Sequence, residues 1–349
     1  VKAVKYVAIA LVTIGLLFLA FRGQDLSTAF ASIEHANMLA LLGGLLIMFL
    51  SHGVRAARWQ IILRPLKRKT SLWLAFKATI AGYGMNNLIP RSGELARPYL
   101  MARGEKIPMA GTLASVVVER LADVVALAGL VVFSLLTFRE RVTSVFPMLS
   151  NSALVALAAL MIMIGGVIFV FFSERRTEQF MAIFTKPLPA KWSGKIDSMA
   201  RDFSRGLRGL ERSAIVPLVL GTIGIWVLYG ISMYVSLQGF SDSAMRQLGI
   251  SDAFFLLTLS GIAFTIPTPG ATGSYHALIT TGLAMVFGVA PATALAYAIV
   301  THALSYISVT VLGLVFLASE GLSFGSASDL RTSSAVPTAS LTLATSEDG

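Results

Sequence analysis

The sequence predicts an all-α polytopic membrane protein, with about six full spans and two oppositely oriented re-entrant helical hairpins related as an inverted repeat. Three observations carry that expectation. The 349 residues are 55% hydrophobic, with a mean hydropathy of +0.76. Only 13% are charged, against about 25% in a soluble domain. Two apolar stretches, residues 72–103 and 252–288, break at polar or Pro/Gly-rich knots where a spanning helix would continue.

Residues 4–21 form the first span. Lys2 and Lys5 ahead of that run also fit a signal peptide, with Ala29 and Ala31 as small-residue positions. Those positions lie about ten residues past the apolar run, too far for an ordinary cleavage region, so the run is read as retained. Residues 22–37 read as a short polar connection and 38–54 as a second span. Arg55, Arg58, Arg64, Lys67, Arg68 and Lys69 then read as a basic loop. Such a loop is cytoplasmic by the positive-inside rule and puts the N-terminus on the same side, with Trp59 and Trp73 at headgroup level.

The first hairpin, 72–103, enters from that side and breaks at Asn86, Asn87, Pro90, Arg91, Gly93, Glu94 and Arg97. Residues 109–137 cross outward and 152–172 return. Residues 173–213 carry nine basic residues against five acids and read as a cytoplasmic loop. Within it, 195–212 fits either a basic helix lying on anionic lipid or a solvated charged helix. Residues 214–237 cross outward again. The second hairpin, 252–288, enters from outside and breaks at Pro267-Thr268-Pro269-Gly270-Ala271-Thr272-Gly273. Two prolines cannot sit inside a continuous helix, and glycines allow the positive-φ turns of a tip. A kinked span plus a separate full span is the other reading of this stretch. Residues 292–318 make the last span. The transmembrane domain is thus 1–320, and the Ser/Thr-rich residues 321–349 read as a disordered cytoplasmic tail.

Charge at depth marks the candidate site. Glu119 lies ten residues into the 109–137 helix, about 15 Å along it at about 1.5 Å per residue. Glu119 and Asp123 share a face at i,i+4, and Arg120 and Asp123 at i,i+3. An ionised side chain there costs about 2.5–3.5 kcal/mol on insertion scales, so it should face inward and be paired. Arg91, Arg97 and Arg120 balance Glu94, Glu119 and Asp123. An arginine fork matches phosphate oxygens bidentately, so these residues suit the headgroup of an anionic phospholipid or a polyprenyl phosphate lipid. An internal clamp locking the helix to the hairpin explains the same residues. At the second tip, Pro267, Pro269, Gly270 and Gly273 shape the turn, and Tyr275 and His276 could line a cavity.

Other classes are excluded or unsupported. The absence of cysteine removes disulfides and thiolate metal sites. His35, His52, His276 and His302 show no ligand spacing, so no metal is expected. No P-loop, dinucleotide fingerprint or nucleophile elbow is present, so no cofactor is expected either. The net charge of +10 follows from basic loops between spans, so nucleic acid is not an expected partner. No oligomeric state follows from these features.

Four tracts together resemble a known family. They are RxxRW at Arg55–Trp59, NNLIPRSGELARPYLM at Asn86–Met101, VERLADV at Val118–Val124 and PTPGATGSYHALI at Pro267–Ile279. They are similar to the flippase-like transmembrane domain of lysylphosphatidylglycerol synthases, over nearly all of residues 1–320. The resemblance implies an inner-membrane protein that moves lipid or lipid-linked headgroups, and the basic loops with the inverted arrangement of spans put both termini in the cytoplasm. The resemblance also implies a stand-alone member without the aminoacyl-transfer domain, and so not an enzyme. Many relatives carry more glycine at the second tip and an acidic residue near position 276, where this chain has Ser274-Tyr275-His276. The leading expectation is a lipid flippase. The alternatives are a membrane glycosyltransferase or headgroup transferase using a lipid-phosphate donor, or a scaffold for a lipid-modifying enzyme.

Overall fold

Backbone N–H and C=O groups in hydrocarbon must be satisfied within the chain, and helices do this locally. The computed structural model describes residues 2–23, 25–145, 155, 157–166, 212–266 and 268–321. Regular structure among them is helical throughout. The helices are α1 (Lys2–Phe21), α2 (Leu26–Glu34), α3 (Met38–Leu63), α4 (Leu72–Leu88), α5 (Gly93–Glu105), α6 (Met109–Thr137), α7 (Arg139–Val145), α8 (Leu157–Gly166), α9 (Arg212–Leu237), α10 (Ser243–Arg246), α11 (Ile250–Thr265), α12 (Ser274–Thr281) and α13 (Pro291–Ser319). A 3-10 turn at Pro269–Ala271 precedes α12, and a π-turn at Gly282–Val286 extends it.

Three helices, α3, α9 and α13, are long and apolar enough to cross a membrane, and several shorter apolar helices accompany them. Their outer faces carry exposed Leu39, Leu46, Leu50, Leu220, Ile223 and Val311, the surface expected of helices facing lipid. At 29 residues α6 matches α13 in length, but Glu119, Arg120 and Asp123 interrupt its apolar run.

Two expectations need correction. Residues 22–37 are not a plain connection: α2 forms there, capped by Asp25, whose carboxylate accepts from the Ser27 and Thr28 N–H groups at 3.0 and 3.2 Å. The Ser27 and Thr28 hydroxyls bond it too and hold its pKa down at about 2. The supposed loop beginning at Arg55 is still helix, because α3 runs to Leu63. Arg55, Arg58 and Trp59 are 3%, 1% and 0% exposed, so Trp59 is core rather than a headgroup anchor. Trp73 is exposed and stacks on Phe76. The loop 173–213 with its 195–212 segment lies almost wholly outside the described residues. So do Pro267, residues 322–349 and the parts of 152–172 other than 155 and 157–166.

The two halves repeat one packing scheme. In the first, α3 packs on α4, α4 on α5, and α5 on α6; in the second, α9 packs on α11, α11 on α12, and α12 on α13. Across the halves α3 lies along α9, α4 packs on α13, and α11 packs on α6. The α3–α9 pair is antiparallel, since Gly44 meets Ser232 and Ser236 while Arg58 meets Gly221. Small residues let those backbones close in, and Ser232 Oγ donates to the Gly44 carbonyl at 2.7 Å. One apolar core gathers around Trp59, Leu63, Met85 and Met101, and the other around Phe240, Phe255, Leu283 and Tyr297.

Candidate functional site

The first break is built from its polar residues. Helix α4 ends at Leu88, Ile89 is extended, and Arg91 takes φ = +66°. Ser92 Oγ donates to the Met85 and Ile89 carbonyls, both at 2.8 Å. Asn86 Oδ1 accepts from the Gly93 N–H at 2.7 Å. The N–H at the start of the second helix, which helix geometry leaves unpaired, is thereby satisfied, and the Ser92 hydroxyl reinforces carbonyls that already accept from the Ile89 and Ser92 N–H groups. Closure demands glycine: a methyl group on Gly93 would sit 1.8 Å from the Gly82 carbonyl oxygen. The hairpin base is clasped by Glu105, which accepts from Lys67 Nζ and the Ser71 N–H, each at 2.6 Å.

This closure carries Arg97 onto the middle of α6. Arg97 grips Glu119 with both Nη groups, at 2.9 and 2.8 Å. Its guanidinium lies 3.9 Å from the centroid of the Trp59 ring, a stacked cation–π contact. Trp59 is held in turn by Nε1 donating to Ser115 Oγ at 2.8 Å. From α3, Arg55 Nη1 reaches Glu119 at 2.9 Å and Asp123 at 2.5 Å. Arg58 Nη2 reaches Asp123 at 3.0 Å and Glu119 at 3.4 Å, and its Nη1 donates to Thr222 Oγ1 at 2.8 Å. The hairpin and α3 therefore meet α6 on two carboxylates, and α9 joins them through the Arg58–Thr222 bond.

Charge does not balance here. Three buried arginines face two carboxylates, a surplus of one positive charge. The Nε–H groups of Arg55, Arg58 and Arg97 are buried without a hydrogen-bond partner among the described residues. Above them Arg120 Nη2 bonds Glu94 Oε1 at 2.7 Å. Arg120 has Tyr83, Glu94, Arg55 and Glu119 around it, yet 41% of its side chain and 36% of Glu94's remain accessible. This partly accessible edge of the buried cluster, at Arg120 and Glu94, is termed the recess. Arg91 is exposed at the tip, with no ion pair among the described residues. With the exposed Arg91 of the hairpin tip counted alongside them, the set holds five arginines and three carboxylates.

The second break meets the first. Gly270, Ala271 and Gly273 have φ of +53°, +60° and +91°. A methyl group on Gly270 would lie 2.4 Å from the Tyr306 ring and 3.1 Å from Asn87 Oδ1. Tyr306 OH donates to the Asn87 carbonyl at 3.0 Å, and Asn87 Nδ2 donates to Thr310 Oγ1 at 2.9 Å. Helix α13 is thus the post on which both tips hang. His302 of the same helix donates through Nε2 to the Gly270 carbonyl at 2.9 Å, and its ring centroid lies 4.8 Å from that of His276. Tyr275 OH pairs with Thr301 Oγ1 at 3.1 Å.

The structure therefore divides the expected residues. Arg97, Glu119 and Asp123 form the buried cluster, Glu94 and Arg120 form its open edge, and Arg91 is exposed at the hairpin tip. Asn86 caps the first hairpin. Asn87, Pro269, Gly270, Gly273, Tyr275 and His276 belong to the junction of the tips, and Pro267 lies outside the described residues. Sequence reading missed Arg55, Arg58, His302 and Tyr306. For the two arginines a signal existed, since Gln60-Ile61-Ile62-Leu63 resumes the apolar run beyond Arg58.

These features define a multi-pass, all-helical membrane protein with an ionised recess on its first broken helix pair. The chain belongs to the lysylphosphatidylglycerol synthase TM region family, whose model matches residues 6–313. It is also similar to Glycosyltransferase AglD of Haloferax volcanii, at 24% identity over 335 residues. That match takes in 89% of this chain and 54% of the relative, so the chain spans about half the length of the curated protein it matches. The expectation that the chain is not an enzyme is corrected by this match, because a relative along most of the chain is named for an enzymatic activity. No solved structure matches the chain.

Proposed function

We propose that the recess receives the phosphate of an anionic phospholipid or polyprenyl phosphate lipid and that the protein moves the attached headgroup across the inner membrane. The observation that carries this reading is the surplus positive charge at the recess. Its accessible members, Arg91 and Arg120, have guanidinium forks suited to phosphate. Arg120 gains a phosphate by exchanging it for Glu94, while the deeper arginines keep the local potential positive.

Helix lengths and packing support the topology this requires. At about 1.5 Å per residue, α4 and α11 reach about 25 Å, short of a hydrocarbon core about 30 Å thick. We read 72–103 and 252–288 as re-entrant hairpins entering from opposite faces, with about six full spans around them. Both termini are then cytoplasmic, and 1–320 is one transmembrane domain. Repeated packing in the two halves fits an inverted repeat, and the two tips hung on α13 fit a pivot for alternating access.

A second reading is favoured by the likeness to AglD: headgroup transfer from a lipid-phosphate donor, either by this chain or by an enzyme working with it. Both readings need phosphate in the recess and differ in whether a covalent product forms. Reconstitution in liposomes with fluorescent phosphatidylglycerol or polyprenyl phosphate and an impermeant quencher tests transport. Faster exchange between leaflets with the intact chain, lost in Arg91→Ala, is the expected result. Unchanged leaflet exchange with every anionic lipid tried overturns transport. Turnover of a glycosyl phosphate lipid in the same vesicles identifies the second reading.

A further inference from the structure

From Tyr83, beside Arg120, a wall of rings runs across α3 to α9. On α9, Thr222, Trp226 and Tyr229 stand at i, i+4 and i+7 and so share one face. That face meets α3, since Thr222 bonds Arg58 and Tyr229 OH lies 3.4 Å from His52 Nδ1. Rings continue without a gap: Trp226 to Tyr229 at 6.2 Å, Tyr229 to His52 at 6.0 Å, and His52 to Tyr83 at 5.1 Å between centroids. At its inner end Tyr83 lies within electrostatic range of Arg55, Arg120 and Glu119.

This wall holds unspent donors. Trp226 Nε1–H is buried without a partner among the described residues. The Tyr83 hydroxyl makes no hydrogen bond to a described residue, and Tyr83, Trp226 and Tyr229 are all half-buried rather than sealed. A buried indole N–H ordinarily finds an acceptor. Aromatic faces carrying free donors beside a cation match a ring that has C–H groups on its face, hydroxyls on its edge and a phosphate attached. A flexible acyclic headgroup leaves the faces uncovered.

Resting on the phosphate reading, we infer that this wall is the headgroup subsite and that the preferred lipids carry a cyclic polyol or sugar on their phosphate. Trp226 and Tyr83 donate to its hydroxyls, and Arg120 holds the phosphate. Each lost donor should cost about five- to tenfold in affinity.

Dihexanoyl-phosphatidylinositol and dihexanoyl-phosphatidylglycerol carry the same phosphodiester charge, and only the first has a ring. Titrating each into the purified chain by isothermal calorimetry tests the inference. The expected result is about tenfold tighter binding of the inositol lipid. Trp226→Phe and Tyr83→Phe should each weaken the inositol lipid more than phosphatidylglycerol and so reduce that ratio several-fold, with melting temperatures near that of the parent. Arg120→Gln should weaken both lipids together. Equal binding of the two lipids, still sensitive to Arg120→Gln, overturns the ring subsite and leaves the phosphate reading standing. Binding of neither lipid overturns both.

Discussion

Replacing Glu119 by Gln and Glu94 by Gln separates the buried cluster from its open edge. Glu119 accepts from Arg55 at 2.9 Å and from Arg97 at 2.9 and 2.8 Å, and is 1% exposed. Glutamine keeps the shape but presents an NH₂ to one guanidinium and raises the buried surplus from one positive charge to two. Breaking a buried pair on one side costs about 3–5 kcal/mol, about a hundredfold or more in the folded-to-unfolded ratio at about 1.4 kcal/mol per tenfold. Glu94 and Arg120 are 36% and 41% accessible, and a solvated pair of that kind contributes about 0–1 kcal/mol. Unfolding of the purified protein in mixed micelles, titrated with sodium dodecyl sulfate, should show a large loss for Glu119→Gln and almost none for Glu94→Gln. Adding Arg97→Met to Glu119→Gln should recover part of the loss, because the stranded cation goes with it. Equal losses in the two single variants, or no recovery in the double, would refute the division of the site.

Gly93→Ala should open the first hairpin, since its methyl group would lie 1.8 Å from the Gly82 carbonyl oxygen; a melting-temperature loss matching about 1–3 kcal/mol is expected. Tyr306→Phe removes the bond from α13 to the Asn87 carbonyl. Stability should fall by about 1 kcal/mol, while leaflet exchange in liposomes falls several-fold because the first tip is held to α13 more loosely, through Asn87 and Thr310 alone among side chains. Burial pushes the Glu105 pKa up, but the Lys67 ammonium and the Ser71 N–H bonded to its carboxylate outweigh that and set it below 4.5. A lowered folded-state pKa gives stability that is complete above the unfolded value and lost as pH falls through the folded one. Acid titration of the melting temperature below about pH 4.5 should therefore destabilise the parent more than Glu105→Gln.

Much of this architecture is legible in the residues. Apolar runs and their breaks locate the helix pairs, and α6 follows from an apolar stretch that only Glu119, Arg120 and Asp123 interrupt. Charged residues inside that stretch mark the site for the same reason: an ion at that depth is costly unless paired. Arg55 and Arg58 were misplaced because a rule counting basic residues between apolar runs cannot tell a loop from the last turns of a long helix. Their inclusion turns a balanced set of charges into a cationic one. His276 and His302 stand 26 positions apart, and only the fold-back of α12 on α13 brings them together. Among the asparagines, the phase of α4 at its last turn decides that Asn86 caps α5 while Asn87 reaches α13. A polar knot in the sequence shows neither assignment.

Native mass spectrometry of the chain released from its own membrane shows whether its arginines hold a phosphate-bearing lipid. An acidic phosphate-bearing lipid should be retained by the parent and lost from Arg91→Gln/Arg120→Gln, with both proteins folded. Retention of the same lipids by both, or of zwitterionic lipids alone, would contradict it.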